Sequence, residues 1–223
     1  MITARVFWLV LPLVSWLVSC TNYKAVVPEV VDEVRVSTVP TPEPPGTMYD
    51  HPIRFSVDEL SKVLRGVRVE FRTHWLQRWL TGPLKPLPLF EDAELARVVP
   101  LLAKALAGAD PRERVVFYVA ERRTDIHREV TSGALFVRGQ RLHIVLVNYR
   151  NGVDALAGVP AYDRTRPDLA VAPQRFTLTF EPKEFLDVRE PQIFESSPPK
   201  IVVDYRSFLG LAAQRDAGPA RSW

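Results

Sequence analysis

Apolar and polar positions along this chain repeat with two different periods, and each change of period marks an element. Ser56-Val-Asp-Glu59 forms a capping box, in which Ser56 accepts from the third helical amide and Glu59 reaches back. Val57, Leu60 and Leu64 then share one face, and Gly66 ends a short helix. Val67, Val69 and Phe71 alternate with Arg68, Glu70 and Arg72, the pattern of a half-buried strand. Residues 91–108 predict the longest helix. Leu95, Val98, Val99, Leu102 and Leu106 make its apolar stripe, while Glu94, Arg97 and Lys104 lie elsewhere. Pro100 sits inside that stretch, removes one backbone hydrogen bond, and predicts a kink or a division.

Val115 to Val119 reads as a buried strand. Residues 128–138 and 141–149 then flank Gly139-Gln140, a two-residue hairpin loop whose leading glycine suits a type II′ turn. This register sets Phe136 opposite His143 and Leu135 opposite Ile144, with apolar residues on both faces, so the hairpin is central in its sheet. Residues 150–174 show no period and hold Asn151-Gly152, Pro160, Pro167 and Pro173, which predicts a long loop. Phe176, Leu178 and Phe180 alternate again, Ile201 to Tyr205 reads as a last strand, and Phe208 to Gln214 as a closing helix. The expected fold class is α+β: one domain over residues 51–215, a mainly antiparallel sheet with one long packed helix. A flexible tail, 216–223, follows.

The N-terminal fifty residues follow different rules. Arg5 is the only charge before the apolar run Val6 to Val14, and small residues precede Cys20. These are the parts of a secretory signal peptide over residues 1–19. The run is interrupted by Pro12 and is too short for a permanent transmembrane helix, which needs about 18 or more apolar residues. Residues 20–50 hold Pro28, Pro40, Pro42, Pro44 and Pro45 and predict an extended tether. Val34 and Val36 alternate with Arg35 and Ser37, so a short edge strand competes with the tether there, and the tether is preferred.

Leu17-Val18-Ser19-Cys20 resembles the lipobox of bacterial lipoproteins, and Cys20 is the single cysteine in 223 residues. The resemblance implies that the Cys20 sulfur takes a diacylglyceryl group, that the signal is cleaved, and that the new amine is acylated. Two or more acyl chains give stable anchoring at about 0.8 kcal/mol per buried CH₂. Thr21 stands where inner-membrane lipoproteins often carry Asp, so the resemblance points to the periplasmic face of the outer membrane. The membrane is then one partner, met through lipidated Cys20.

Charge changes the picture by exclusion. With 29 Lys+Arg against 26 Asp+Glu the net charge is +3, too small and too mixed for a nucleic-acid binder. A single cysteine excludes disulfide scaffolds and cysteine-based zinc sites within the chain. No cofactor or metal is expected. Ser197-Pro-Pro-Lys200 matches Ser-x-x-Lys only formally, because two prolines oppose the helical turn that motif needs. His127 and Glu129 share one side of a strand as a possible half-site, but His143 lies too far along to join them. Asp154, Asp163 and Asp168 lie in the long loop with Arg164 and Arg166, a self-compensating set.

The remaining candidate is apolar. Trp75 and Trp79, with Leu76 and Leu80, fall four apart beside Arg78, and a proline-rich run to Phe90 follows. Such a segment is either a flap over the core or an anchor for a protein partner, because Trp and Arg dominate binding hot spots. Trp75, Arg78 and Trp79 are the candidate partner-binding residues. The expected function is a lipid-anchored envelope lipoprotein presenting a non-catalytic binding or assembly module. Two alternatives remain: an envelope hydrolase acting on peptidoglycan or glycans through unpatterned carboxylates, and a carrier of an apolar ligand.

Overall fold

A computed structural model of the chain describes residues 33–71, 79, 82, 85–125, 127–154, 170, 174–187 and 198–216. The signal peptide, Cys20, Trp75, Arg78, Ser197, most of the 150–174 loop and residues 217–223 lie outside these described residues.

The fold is α+β, with two antiparallel sheets and, among the elements fully described, three α-helices. The strands are β1 (Glu33–Pro40), β2 (Val67–Phe71), β3 (Leu87–Pro88), β4 (Glu113–Arg122), β5 (His127–Arg138), β6 (Arg141–Asp154), β7 (Phe176–Phe180) and β8 (Lys200–Val203). The helices are α1 (Val57–Arg65), α2 (Asp92–Gly108) and α3 (Tyr205–Asp216). A five-stranded sheet has the order β1-β4-β5-β6-β8, and a three-stranded one the order β3-β2-β7. One core joins them. Val115, Phe117 and Val119 of β4 meet Leu95, Val98, Val99, Leu102 and Leu106 of α2 there, with Val67, Val69 and Phe180 of the smaller sheet.

Local signals produce the elements expected of them. The Glu59 amide donates to Ser56 Oγ at 3.2 Å and the Ser56 amide donates to Glu59 Oε2 at 2.8 Å, so the capping box is formed. Gly66 does end α1, but with φ −75°, in the right-handed region. A Cβ there would lie 2.6 Å from the Phe180 ring, so close packing and not a left-handed cap calls for glycine. Helix α2 runs unbroken through Pro100. Pro100 and Ala96, whose carbonyl loses its partner, are both exposed, and water can satisfy the freed oxygen.

The β5–β6 hairpin has the predicted register, with Phe136 opposite His143, Leu135 opposite Ile144 and Arg138 opposite Arg141. Its turn differs from type II′. Gly139 (φ 59°) and Gln140 (φ 63°) are both left-handed, as a type I′ turn requires. The Asp50 carboxylate accepts from the Gln140 amide at 2.7 Å and holds this non-glycine residue in place.

The largest departure is at the start of the domain. Residues 33–40, assigned above to the tether, form edge strand β1, paired with β4 from Glu33–Ala120 to Pro40–Glu113. Val34 and Val36 pack against the core while Arg35 and Ser37 face water. The following loop is also built in: the Tyr49 amide donates to the Pro111 carbonyl, the Asp50 amide to Val137, and the Ile53 amide to Leu106. The domain therefore includes residues 33–50 as well as those from His51 onward. The last strand is shorter than Ile201–Tyr205, since Tyr205 already opens α3.

Candidate functional site

Two assemblies at one end of the core concern the candidate chemistry. Both depend on a bulge in β6. The β5–β6 register shifts between Val130 and Ser132 and again between Ser132 and Gly133, and Arg150 takes φ 46°. Such bulges re-aim side chains. Tyr149 turns into the core, and its hydroxyl donates to the Pro88 carbonyl at 2.8 Å. Gln174 closes both sides of the Tyr149 backbone: Oε1 accepts from the Tyr149 amide at 2.9 Å, and Nε2 donates to its carbonyl at 2.8 Å. Burial pushes the Tyr149 phenol above its ordinary range, so it stays protonated.

Beside Tyr149 the ring of Phe71 stands 5.8 Å away and that of Phe176 6.3 Å away. Phe71 and Leu87 remain exposed. They flank, along the chain, the segment that carries Trp79. Trp79 is 78% exposed, the most open large apolar side chain among the described residues. A core role for Trp79 is therefore excluded. Trp75 and Arg78, the other two candidate partner-binding residues, lie outside the described residues.

The second assembly is ionic. Arg150 donates to Glu91 at 2.7 Å and lies 3.7 Å from Glu94. The bond from Arg150 holds the Glu91 carboxyl below its usual range. Glu94 was expected on the polar face of α2, but it is buried at 3% exposure and accepts from the Glu91 amide at 2.6 Å. Burial pushes its carboxyl upward. Across the sheet Glu121 and Glu129 stand directly opposite one another. Arg97 reaches Glu121 at 2.8 Å, and Arg123 reaches Glu129 at 2.7 Å and Glu121 at 3.5 Å. Four carboxylates and three guanidinium groups thus compensate one another, and Glu94 closes the N-terminus of α2.

The histidines do not converge on a site. His51 is buried and accepts from the Val137 amide through Nε2 at 3.1 Å. His143 is buried, stacked at 4.7 Å on Phe136, which stacks at 4.4 Å on Tyr49. His127 begins β5, but Glu129, its proposed partner, is engaged by Arg123. Lys200 lies in a strand, which removes the helical geometry of Ser-x-x-Lys. Among the described residues no group of three or more His, Cys, Asp or Glu could hold a metal ion.

Sequence reasoning did not single out Glu94, Tyr149, Arg150 or His51. The one signal in the sequence is Arg150-Asn151-Gly152, where Asn-Gly marks irregular backbone; the pattern predicts the start of a loop there, whereas β6 continues through it to Asp154. No described helix is long and apolar enough to cross a membrane. Comparison with protein families, with curated proteins and with solved structures finds no match for this chain.

Proposed function

We propose that this chain is a lipid-anchored lipoprotein of the bacterial cell envelope. It presents its α+β domain on the periplasmic face of the outer membrane as a non-catalytic binding or assembly module. The observation that carries this reading is the lipobox-like Leu17-Val18-Ser19-Cys20, with the chain's single cysteine at the position that takes lipid. Two further features agree with a module. Trp79 projects into solvent as a partner anchor would. The carboxylates gathered at the bulge are matched by arginines, and the buried Glu94 is taken up in closing a helix, so this cluster offers no free acid/base pair.

The test is metabolic labelling with a palmitate analogue in cells producing the wild type or Cys20→Ala. The wild type should label and migrate as a processed form. Cys20→Ala should accumulate as an unlabelled precursor. Equal labelling of the two removes the anchor and the envelope location with it.

A further inference from the structure

The face of the five-stranded sheet turned away from α2 carries a buried arginine whose Nε finds no acceptor among the described residues. Arg128 of β5 and Arg122 of β4 stand directly opposite one another at the end of this face. Arg122 is exposed, while Arg128 is only 5% exposed and its Nε has no hydrogen-bond partner among the described residues. Among the described residues none forms an ion pair with Arg128. Arg97, Arg123, Arg138, Arg141 and Arg150 are all more open to water, yet each reaches a carboxylate: Glu121, Glu129, Glu43, Asp187 and Glu91 in turn.

That contrast has an energetic meaning. A buried ion is costly unless it is paired. A lysine can escape by losing its proton, but a guanidinium cannot. A second positive charge directly across the strand pair adds repulsion, and it also raises the local potential for anions. On the same face Tyr118, Ala120 and Val130 form a small buried cluster with Val153, the β6 partner of Arg128. We propose that Arg128, with Arg122 across the ladder, binds an oxyanion. The ligand is a carboxylate or a phosphate, the two groups whose planar or tripod oxygens fit the guanidinium fork.

Thermal unfolding of the full chain, purified in a non-ionic detergent, tests this at constant ionic strength. Sodium chloride is the baseline, and sodium phosphate and sodium acetate are the two arms. At a hundred times its dissociation constant, a bound anion shifts the folding equilibrium about a hundredfold, seen as a saturating rise in melting temperature. The arm with the rise identifies the oxyanion. Arg128→Met should abolish the rise and, in chloride alone, unfold at the wild-type temperature or above it. Arg122→Gln, at an exposed position, should fold normally and need a several-fold higher anion concentration. No rise in either arm overturns the proposal, as does an equal rise in Arg128→Met. A large loss of stability in Arg128→Met, with no anion response in the wild type, would assign the pairing to an acid of this chain instead. Should Arg128→Met fail to fold, an unchanged response in Arg122→Gln would overturn the proposal.

Discussion

At the rim of the larger sheet the β4–β5 ladder ends at Val115–Leu135, and the Val137 amide beyond it donates to the His51 side chain. An imidazole accepts through Nε2 only when it is neutral, so this contact requires unprotonated His51. Burial lowers the His51 pKa and outweighs Asp50 and Glu113, both of which favour the cation. The sign of the pH dependence follows. Above about pH 6.5 the residue is neutral in both folded and unfolded chains and stability is unaffected. Below it the unfolded chain takes up a proton that the folded chain refuses, so stability falls until the lowered folded pKa is passed. The slope approaches about 1.4 kcal/mol per pH unit for one proton. Glu94 acts in the opposite sense, because a raised carboxyl pKa makes the fold gain as pH drops towards the unfolded value. Urea unfolding of the wild type and His51→Gln between pH 7.5 and 5 separates the two. The variant should lose the His51 part of the slope, and identical slopes would refute the role.

At the scale of elements, β1 decides how much of the chain is domain. Its eight residues cover the edge of β4, and Val34 and Val36 pack on the core. Without it, the β4 backbone would present an unpaired edge and the α2 side of the core would open. A chain beginning at Thr41 should therefore lose several kcal/mol, a large share of the 5–15 kcal/mol typical of a domain. It should aggregate or melt without cooperativity, while one beginning at Glu33 should unfold in one transition. Equal cooperative melting of the two would make β1 dispensable. The same strand shows what local pattern conveys. The capping box of α1, the stripe of α2 and the β5–β6 register were legible because each is settled within a few residues. β1 shows the alternation of an edge strand, but five prolines at positions 28 to 45 read equally well as a spacer. Only its pairing with β4, some eighty residues on, separates the two. The second sheet was missed for the same reason: β2 and β7 pair across more than a hundred residues. Glu94 escaped because a charged residue beside an apolar stripe is ordinarily on the solvent side, whereas here the Glu91 amide, with Arg150 arriving from the bulge, compensates its burial.

For the whole molecule, the position of β1 limits how far an anchored domain can stand from a membrane. The tether read from the prolines ran from Cys20 to Asp50, about 90 Å if extended as polyproline. With β1 beginning at Glu33, the chain from a lipidated Cys20 spans at most about 45 Å, even fully extended. If Cys20 carries the proposed lipid, so short a tether would keep the domain close to the bilayer and raise the effective concentration of envelope components near it. An exposed tryptophan then matters more as a contact than as a packing residue. Trp79 projects from the connection between β2 and β3 and does not contribute to the core. Trp79→Ala should leave thermal unfolding unchanged within about 0.5 kcal/mol, as for other surface substitutions. If Trp79 anchors a partner, its loss should weaken that contact by about 2 kcal/mol, roughly thirtyfold in affinity. Crosslinking in intact cells, comparing the wild type with Trp79→Ala in the lipidated chain, reads this directly: a partner band present in the first should fade in the second. An unchanged band with unchanged stability would show that Trp79 is neither anchor nor core, and the partner would have to be sought on another face of the domain.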